Sequence, residues 1–290
     1  MSNPQDTTST PVPELSLNDG TTIPQLGFGV FQVDPADTQE VVSRALEAGY
    51  RHIDTAQMYG NEEGVGAAIA ASGIPRSELY VTTKLNNSFH RPDDVRRSFA
   101  DSLERLGLDH VDLFLIHWPL PTRYDGDYVS TWQAMTALVG EGTTRSAGVS
   151  NFEPAHLDRI VDETGVVPAV NQIEVHPFHG NEAARTATLG HGALVEAWSP
   201  IAQGKVLTDP VIGRIAEEVG RTPSQVTLRW HIERGDIIFP KTTHPERMAE
   251  NFALFDFTLT PDQVAAISAL DEGEAGRIGP NPESFDWIPA

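Results

Sequence analysis

The 290-residue chain contains no cysteine. Disulfide bridges, thiol catalysis and cysteine-based zinc sites are thereby excluded. Cationic residues are scarce as well: 20 Lys and Arg stand against 41 Asp and Glu, a formal charge of −21. So acidic a chain is a poor nucleic-acid binder, because phosphate contacts need a basic surface. No apolar run approaches the length of a membrane span. No Pro/Gly/Ser-rich linker or charge block divides the chain, and M-S-N-P-Q-D-T-T-S-T-P lacks the basic and apolar segments of a signal peptide. The expectation is a disordered polar tail over residues 1–13, a single domain over 14–290, a cytoplasmic setting, and no nucleic-acid or membrane partner. Any anionic ligand must be held by a local cationic cluster working against the general field.

What is present is a regular alternation. E-L-S-L, the turn Asn18-Asp19-Gly20 and T-T-I-P read as a hairpin, Asp-Gly between alternating runs being a strong turn signal. Eight short apolar runs follow, over residues 28–30, 50–54, 79–84, 111–117, 144–150, 169–174, 193–198 and 236–240. Helical periodicity lies between them, near 37–48, 61–72, 92–107, 128–140, 154–164, 182–190, 209–219 and 223–234. Two more helices follow the eighth run, near 245–253 and 261–270. Eight β-then-α units predict a (β/α)8 TIM barrel, with the hairpin capping its bottom and two helices beyond the eight-unit repeat. Asp54, Lys84, His117, Ser150-Asn151, Gln172, Trp198 and Lys241 all fall at or just past strand ends, the rim where such barrels do chemistry.

Several alternative motifs fail. In Gly27-Phe28-Gly29 the third glycine of G-x-G-x-x-G is replaced by Gln32, and after Gly64-Val65-Gly66 it is replaced by Ile69, so a Rossmann fingerprint is absent. Gly148-Val149-Ser150 lacks the last glycine of a nucleophile elbow, which leaves a Ser150 hydrolase a poor reading. His176 and His179 have only Glu174 nearby, and no metal site is expected.

Asp54, Tyr59, Lys84 and His117 have a joint chemical sense. A free phenol, with a pKa of about 10, is a poor acid near neutrality. A neighbouring ammonium stabilises its phenolate, which Lys84 would do for Tyr59, with Asp54 orienting Lys84. His117 would hydrogen-bond a substrate oxygen and polarise a carbonyl. No side chain supplies a hydride, so a cofactor must. Singly, each residue also reads as a rim ion pair, a packed aromatic or a core histidine; jointly, at consecutive strand ends, they read as a site. Lys241, Thr242 and Arg247, just past the eighth strand, form a cationic cluster in an otherwise acidic chain.

The segments G-Y-R-H-I-D-T-A, G-N-E-E-G-V-G, V-D-L-F-L-I-H-W-P, G-V-S-N-F, P-A-V-N-Q-I-E-V-H-P and F-P-K-T-T-H-P-E-R resemble those of the aldo-keto reductases. Within them the chain is similar to the prokaryotic branch that includes 2,5-diketo-D-gluconate reductases, from Leu17 to about Arg277. The resemblance implies NADPH-dependent reduction of an aldehyde, ketone or keto-sugar. Tyr59 would be the general acid/base, Asp54 and Lys84 would tune it, and His117 would orient the carbonyl. It further implies that Ser150, Asn151 and Gln172 hydrogen-bond the nicotinamide carboxamide, that Trp198 stacks on its ring, and that the loop from Ser199 through Gln203 to Gly204 closes over the pyrophosphate. Lys241, Thr242 and Arg247 would hold the 2′-phosphate, and Glu250 and Asn251 the adenine. Phe31, Met58 and Trp118 would line the substrate mouth with the C-terminal tail. Asn86 stands where many relatives have tryptophan, which predicts a wider and more polar pocket. The implied partner is a small carbonyl compound and the implied state a monomer. A second function class is a nicotinamide-binding, redox-sensing regulatory subunit without turnover.

Overall fold

The computed structural model describes residues 11–289. Of the tail expected over residues 1–13, the part up to Thr10 lies outside the described residues. Val12 packs against the core, and the Pro13 carbonyl accepts a bond from the Gln25 amide.

An antiparallel hairpin, β1 (Glu14–Ser16) and β2 (Thr22–Pro24), precedes eight parallel strands. These are β3 (Phe28–Gly29), β4 (His52–Asp54), β5 (Tyr80–Leu85), β6 (Val111–Ile116), β7 (Thr144–Ser150), β8 (Val170–Glu174), β9 (Leu194–Trp198) and β10 (Ile237–Ile238), hydrogen-bonded in that order. The ring closes between its first and last strands. Leu26 bridges Ile238, with Gly27 N to Ile238 O at 2.9 Å and Ile238 N to Gln25 O at 3.1 Å. A (β/α)8 barrel is therefore present.

Helices α1 (Pro35–Glu47), α2 (Glu62–Ser72), α3 (Pro92–Leu106), α4 (Tyr128–Glu141), α5 (Pro154–Thr164), α6 (Glu182–Gly190), α7 (Pro210–Val219), α8 (Pro223–Glu233), α9 (Pro245–Phe252) and α10 (Pro261–Ser268) surround it. Seven of these begin on proline, whose missing N–H costs nothing in a first helical turn. Two lie outside the one-helix-per-strand repeat: α7, which joins α8 between β9 and β10, and α10.

Side chains alternate across each strand, and the core divides accordingly. One set, including Ile53, Val81, Phe114 and Val149, packs outward under the helices. The other, including Tyr80, Leu113, Leu115, Val170, Ile237 and Phe239, fills the lower barrel together with Leu17 and Ile23 from the hairpin. The hairpin turn is fastened to the barrel floor, since Ser146 Oγ donates to Asp19 at 2.6 Å and Asn18 to the Pro168 carbonyl at 2.9 Å. With its bottom sealed, the barrel is open to chemistry only at the strands' carboxyl ends.

Strands β4 and β10 are shorter than expected for local reasons. Tyr50 does not join β4; its amide caps α1 through the Ala45 carbonyl and its hydroxyl reaches Met248. Asp236 is held by Arg185 and His231 below β10, and Pro240 has no N–H to extend the strand.

At one contact the packing tolerates no side chain. A Cβ on Gly66 of α2 would lie 2.2 Å from the Leu106 carbonyl oxygen at the end of α3. Gly66→Ala should therefore destabilise the protein by about 1–3 kcal/mol as the two helices are pushed apart. A thermal melt reads this directly; an unchanged midpoint would show that the helices separate freely.

Candidate active site

β4 ends on Asp54, and β5 carries Lys84 one residue before its end. Register pairs Asp54 with Thr82, so Lys84, two residues on and on the same face, projects to the adjacent rim position. Its ammonium lies 2.6 and 2.7 Å from the two Asp54 oxygens and 2.9 Å from the Thr55 carbonyl. Lys84 is 0% exposed, and these charge-assisted bonds are what makes its burial tenable. A 3-10 turn over Gln57–Tyr59 then brings the Tyr59 hydroxyl to 3.5 Å from Lys84 Nζ. The Tyr59 ring meets His117 edge-on, at a centroid distance of 5.7 Å, and Phe31 at 5.1 Å. The four residues that the sequence places at three strand ends and one loop thus share a single point.

Burial pushes the Tyr59 phenol above its ordinary value, against the downward pull of the Lys84 ammonium, and Asp54 adds to the rise. Lys84 thus pulls in the expected direction, but loss of water outweighs the ammonium, and Tyr59 holds its proton at neutral pH. Burial draws Lys84 down, but Asp54 and Tyr59 together more than reverse this and it stays an ammonium. Burial and then Lys84 hold His117 well below the usual imidazole range, so it is neutral, with one N–H to donate.

The expected cofactor residues fall into two groups. Ser150, Asn151, Gln172 and Trp198 adjoin the four. Trp198 Nε1 donates to Asn151 Oδ1 at 2.9 Å, Asn151 Nδ2 to the His117 carbonyl at 2.9 Å, and Ser150 Oγ to the Gln172 carbonyl at 2.7 Å. Gln172 points inward, and its amide nitrogen is bonded to Asp54 at 3.0 Å and Glu196 at 2.9 Å. Ser199 and Gln203 both sit at positive φ in the loop after β9.

The second group follows β10. The Thr242 hydroxyl accepts the His244 amide at the head of α9. Lys241 and Arg247 are exposed and form no ion pair among the described residues, in which 15 of the 20 Lys and Arg do. Glu250 and Asn251 bind the start of α8, through Thr222 at 2.6 Å and Ser224 at 3.0 Å.

At the mouth, Phe31 is 55% exposed, Met58 is half-buried, and Trp118 packs on Phe285 of the C-terminal tail at 4.2 Å between centroids. The Asn86 side chain caps the Ser88 amide at 2.9 Å and so braces its own loop. Asn87 bonds the Trp287 carbonyl at 2.9 Å, and Arg123 holds Asp286. A model of the aldo/keto reductase family matches residues 25–272. The chain belongs to the aldo/keto reductase family.

This aldo/keto reductase is 49% identical to an aldo-keto reductase of Mycolicibacterium smegmatis, over 95% of the chain and 98% of the relative. It is 45% identical to the methylglyoxal reductase DkgA of Yersinia pestis, over 94% and 97%. Among solved structures it resembles an aldo/keto reductase of Brucella melitensis, at TM-score 0.87 and 48% identity, covering 90% of the chain and 98% of that structure. An aspartate-to-alanine variant of Gox0644, solved in complex with NADPH, matches at TM-score 0.91 and 43% identity, covering 96% and 100%.

Three site residues of this aldo/keto reductase escape sequence reasoning. Gln57 braces the turn that carries Tyr59, accepting the Asn86 amide at 2.7 Å and donating to Ser98 and Ser102 of α3. Glu174, at the end of β8, accepts the Ile278 and Gly279 amides at 2.6 and 2.9 Å and so pins the tail. A Cβ on Gly279 would lie 2.4 Å from the Trp198 ring, so only glycine lets the tail pass there. Glu196, two residues before Trp198 on the inward face of β9, was legible only as an acid inside an apolar strand.

Proposed function

We propose that this aldo/keto reductase reduces the carbonyl group of small aldehydes, ketones or keto-sugars to the alcohol, using NADPH. The observation that carries the reading is the buried Lys84–Asp54 pair beneath the Tyr59 hydroxyl, with neutral His117 against the same ring. The relatives named methylglyoxal reductase make 2-oxoaldehydes natural first substrates.

The residues present fit the cofactor. Trp198 is a half-buried ring at a strand end, its indole N–H already satisfied by Asn151, which leaves its face for a planar ring. Exposed Lys241 and Arg247, without carboxylate partners among the described residues, suit a phosphate monoester, and arginine's planar fork matches it bidentately. When bound, the nicotinamide supplies the hydride. The chain's own residues do the rest. His117 donates its single N–H to the carbonyl oxygen and orients it. Tyr59 gives that oxygen its proton as negative charge develops there, and Lys84, fixed by Asp54, stabilises the phenolate left behind.

Loss of NADPH absorbance on mixing with a panel of carbonyls tests the reading; folded protein that binds NADPH yet turns over no carbonyl would refute it. Arg247→Ala should raise the Kd for NADPH about ten- to a hundredfold, the worth of hydrogen bonds to a charged group, and leave that for NADH nearly unchanged. Equal weakening of both would remove Arg247 from the 2′-phosphate.

A further inference from the structure

One carboxyl group inside the barrel has no part in the chemistry above. Glu196 faces the interior from β9 and is 0% exposed. Its Oε2 accepts one hydrogen bond, from Gln172 Nε2 at 2.9 Å, and its Oε1 has no partner among the described residues. The same Gln172 nitrogen donates to Asp54 Oδ2 at 3.0 Å, so two acids share one amide. The titratable groups facing Glu196 are Asp54 from β4 and Lys84 and Tyr80 from β5. Of its neighbouring strands, β8 offers neutral Gln172, and β10 the apolar Ile237 and Phe239. Lys84 gives its bonds to Asp54 and Thr55, and the buried Tyr80 hydroxyl is itself without a partner among the described residues. A carboxylate so enclosed, with one neutral hydrogen bond and a second acid beside it, is strongly disfavoured against its protonated form.

We propose that Glu196 is a positioning residue for the reducing site: held as the neutral acid, it fixes Gln172, which fixes Asp54, and its ionisation at alkaline pH weakens Tyr59 as the proton donor. The proposal rests on the carbonyl-reducing reading above. Burial first, and then Asp54, push the Glu196 carboxyl up to about 8, with the Gln172 bond and Lys84 opposing. Below that pH it adds no charge to the barrel. Above it, a second negative charge joins Asp54, holds the phenol proton more tightly and opposes the charge that develops on the carbonyl oxygen. The two acids joined by one amide thus differ in their surroundings, Asp54 having the Lys84 ammonium against it and Glu196 having none.

The test uses the full-length enzyme with methylglyoxal and NADPH. For the wild type, kcat/KM should fall through an alkaline limb near pH 8. Glu196→Gln accepts the same Gln172 bond but cannot ionise, so its limb should move up by roughly a unit or more. Glu196→Ala leaves Gln172 without its second acceptor and should lower kcat about ten- to a hundredfold, the scale of a small misplacement, with little change in KM. Glu196→Gln should recover most of that loss.

A second readout needs no turnover. The folded pKa lies above the unfolded value of 4.5, so the folded protein keeps a proton that the unfolded chain releases. Wild-type stability conferred by that proton is therefore complete below the unfolded value and is lost as pH rises towards 8. Glu196→Gln should show a smaller decline in melting midpoint across that window. The same alkaline limb in wild type and Glu196→Gln would overturn the proposal, as would identical pH dependence of their melting midpoints. If the wild type reduces no carbonyl at all, the functional reading fails, and the melting curves alone still decide the protonation of Glu196.

Discussion

Tyr59→Phe is expected to lower kcat for carbonyl reduction by about 10²–10⁴-fold, the range that a positioned general acid contributes. The substitution removes one oxygen and keeps the ring, so the contacts with Phe31 and His117 survive. Cofactor affinity should be unchanged within about twofold, because the hydroxyl's nearest polar neighbour is Lys84 rather than any of the residues assigned to the nucleotide. Stopped-flow single-turnover measurements separate the two effects. Retained turnover would move the proton donor elsewhere, with His117 next in line, although its neutral imidazole has but one N–H to offer.

Lys84→Met should have a double effect. Asp54 would keep only the Gln172 bond among its side-chain contacts and face an apolar chain where an ammonium had been. Removing one member of a buried pair typically costs about 3–5 kcal/mol, and the melting midpoint should drop accordingly. Activity should fall as well, since nothing then stabilises the Tyr59 phenolate. The double variant Asp54→Asn/Lys84→Met separates the two losses. With no orphaned carboxylate, it should regain a good part of the stability and none of the rate, a coupling that a double-mutant cycle reads directly. If Lys84→Met melts like the wild type, the pair is too well hydrated to matter for folding.

The barrel and the meeting of Asp54, Tyr59, Lys84 and His117 at its rim were legible in the sequence because both rest on short-range regularities. Strand runs ending in Asp54, Lys84 and His117 recur at a spacing that only consecutive βα units provide. The direction of the Tyr59 shift was not legible. It depends on how much water the finished mouth excludes, a property of Phe31, Trp118 and the tail together rather than of any segment. Gln172 carries a cofactor role only through the family resemblance, and the contacts of its amide nitrogen with Asp54 and Glu196 were not legible at all. The link to Asp54 joins residues more than a hundred positions apart and has no local signature. Glu174 escaped for the same reason, since its partners, the Ile278 and Gly279 amides, arrive only when the tail folds back.

The scarcity of cationic side chains has a practical consequence for handling the protein. The chain has only three lysines, Lys84, Lys205 and Lys241. Lys84 is sealed in the barrel, and the other two are exposed, one beside the loop assigned to the pyrophosphate and the other at the site assigned to the 2′-phosphate. Amine-directed labels, cross-linkers and immobilisation resins thus have two side-chain targets, both beside the proposed nucleotide site. Their coupling yield with and without NADPH becomes a footprint of the occupied site, and surface attachment of an active enzyme calls for carboxyl chemistry instead.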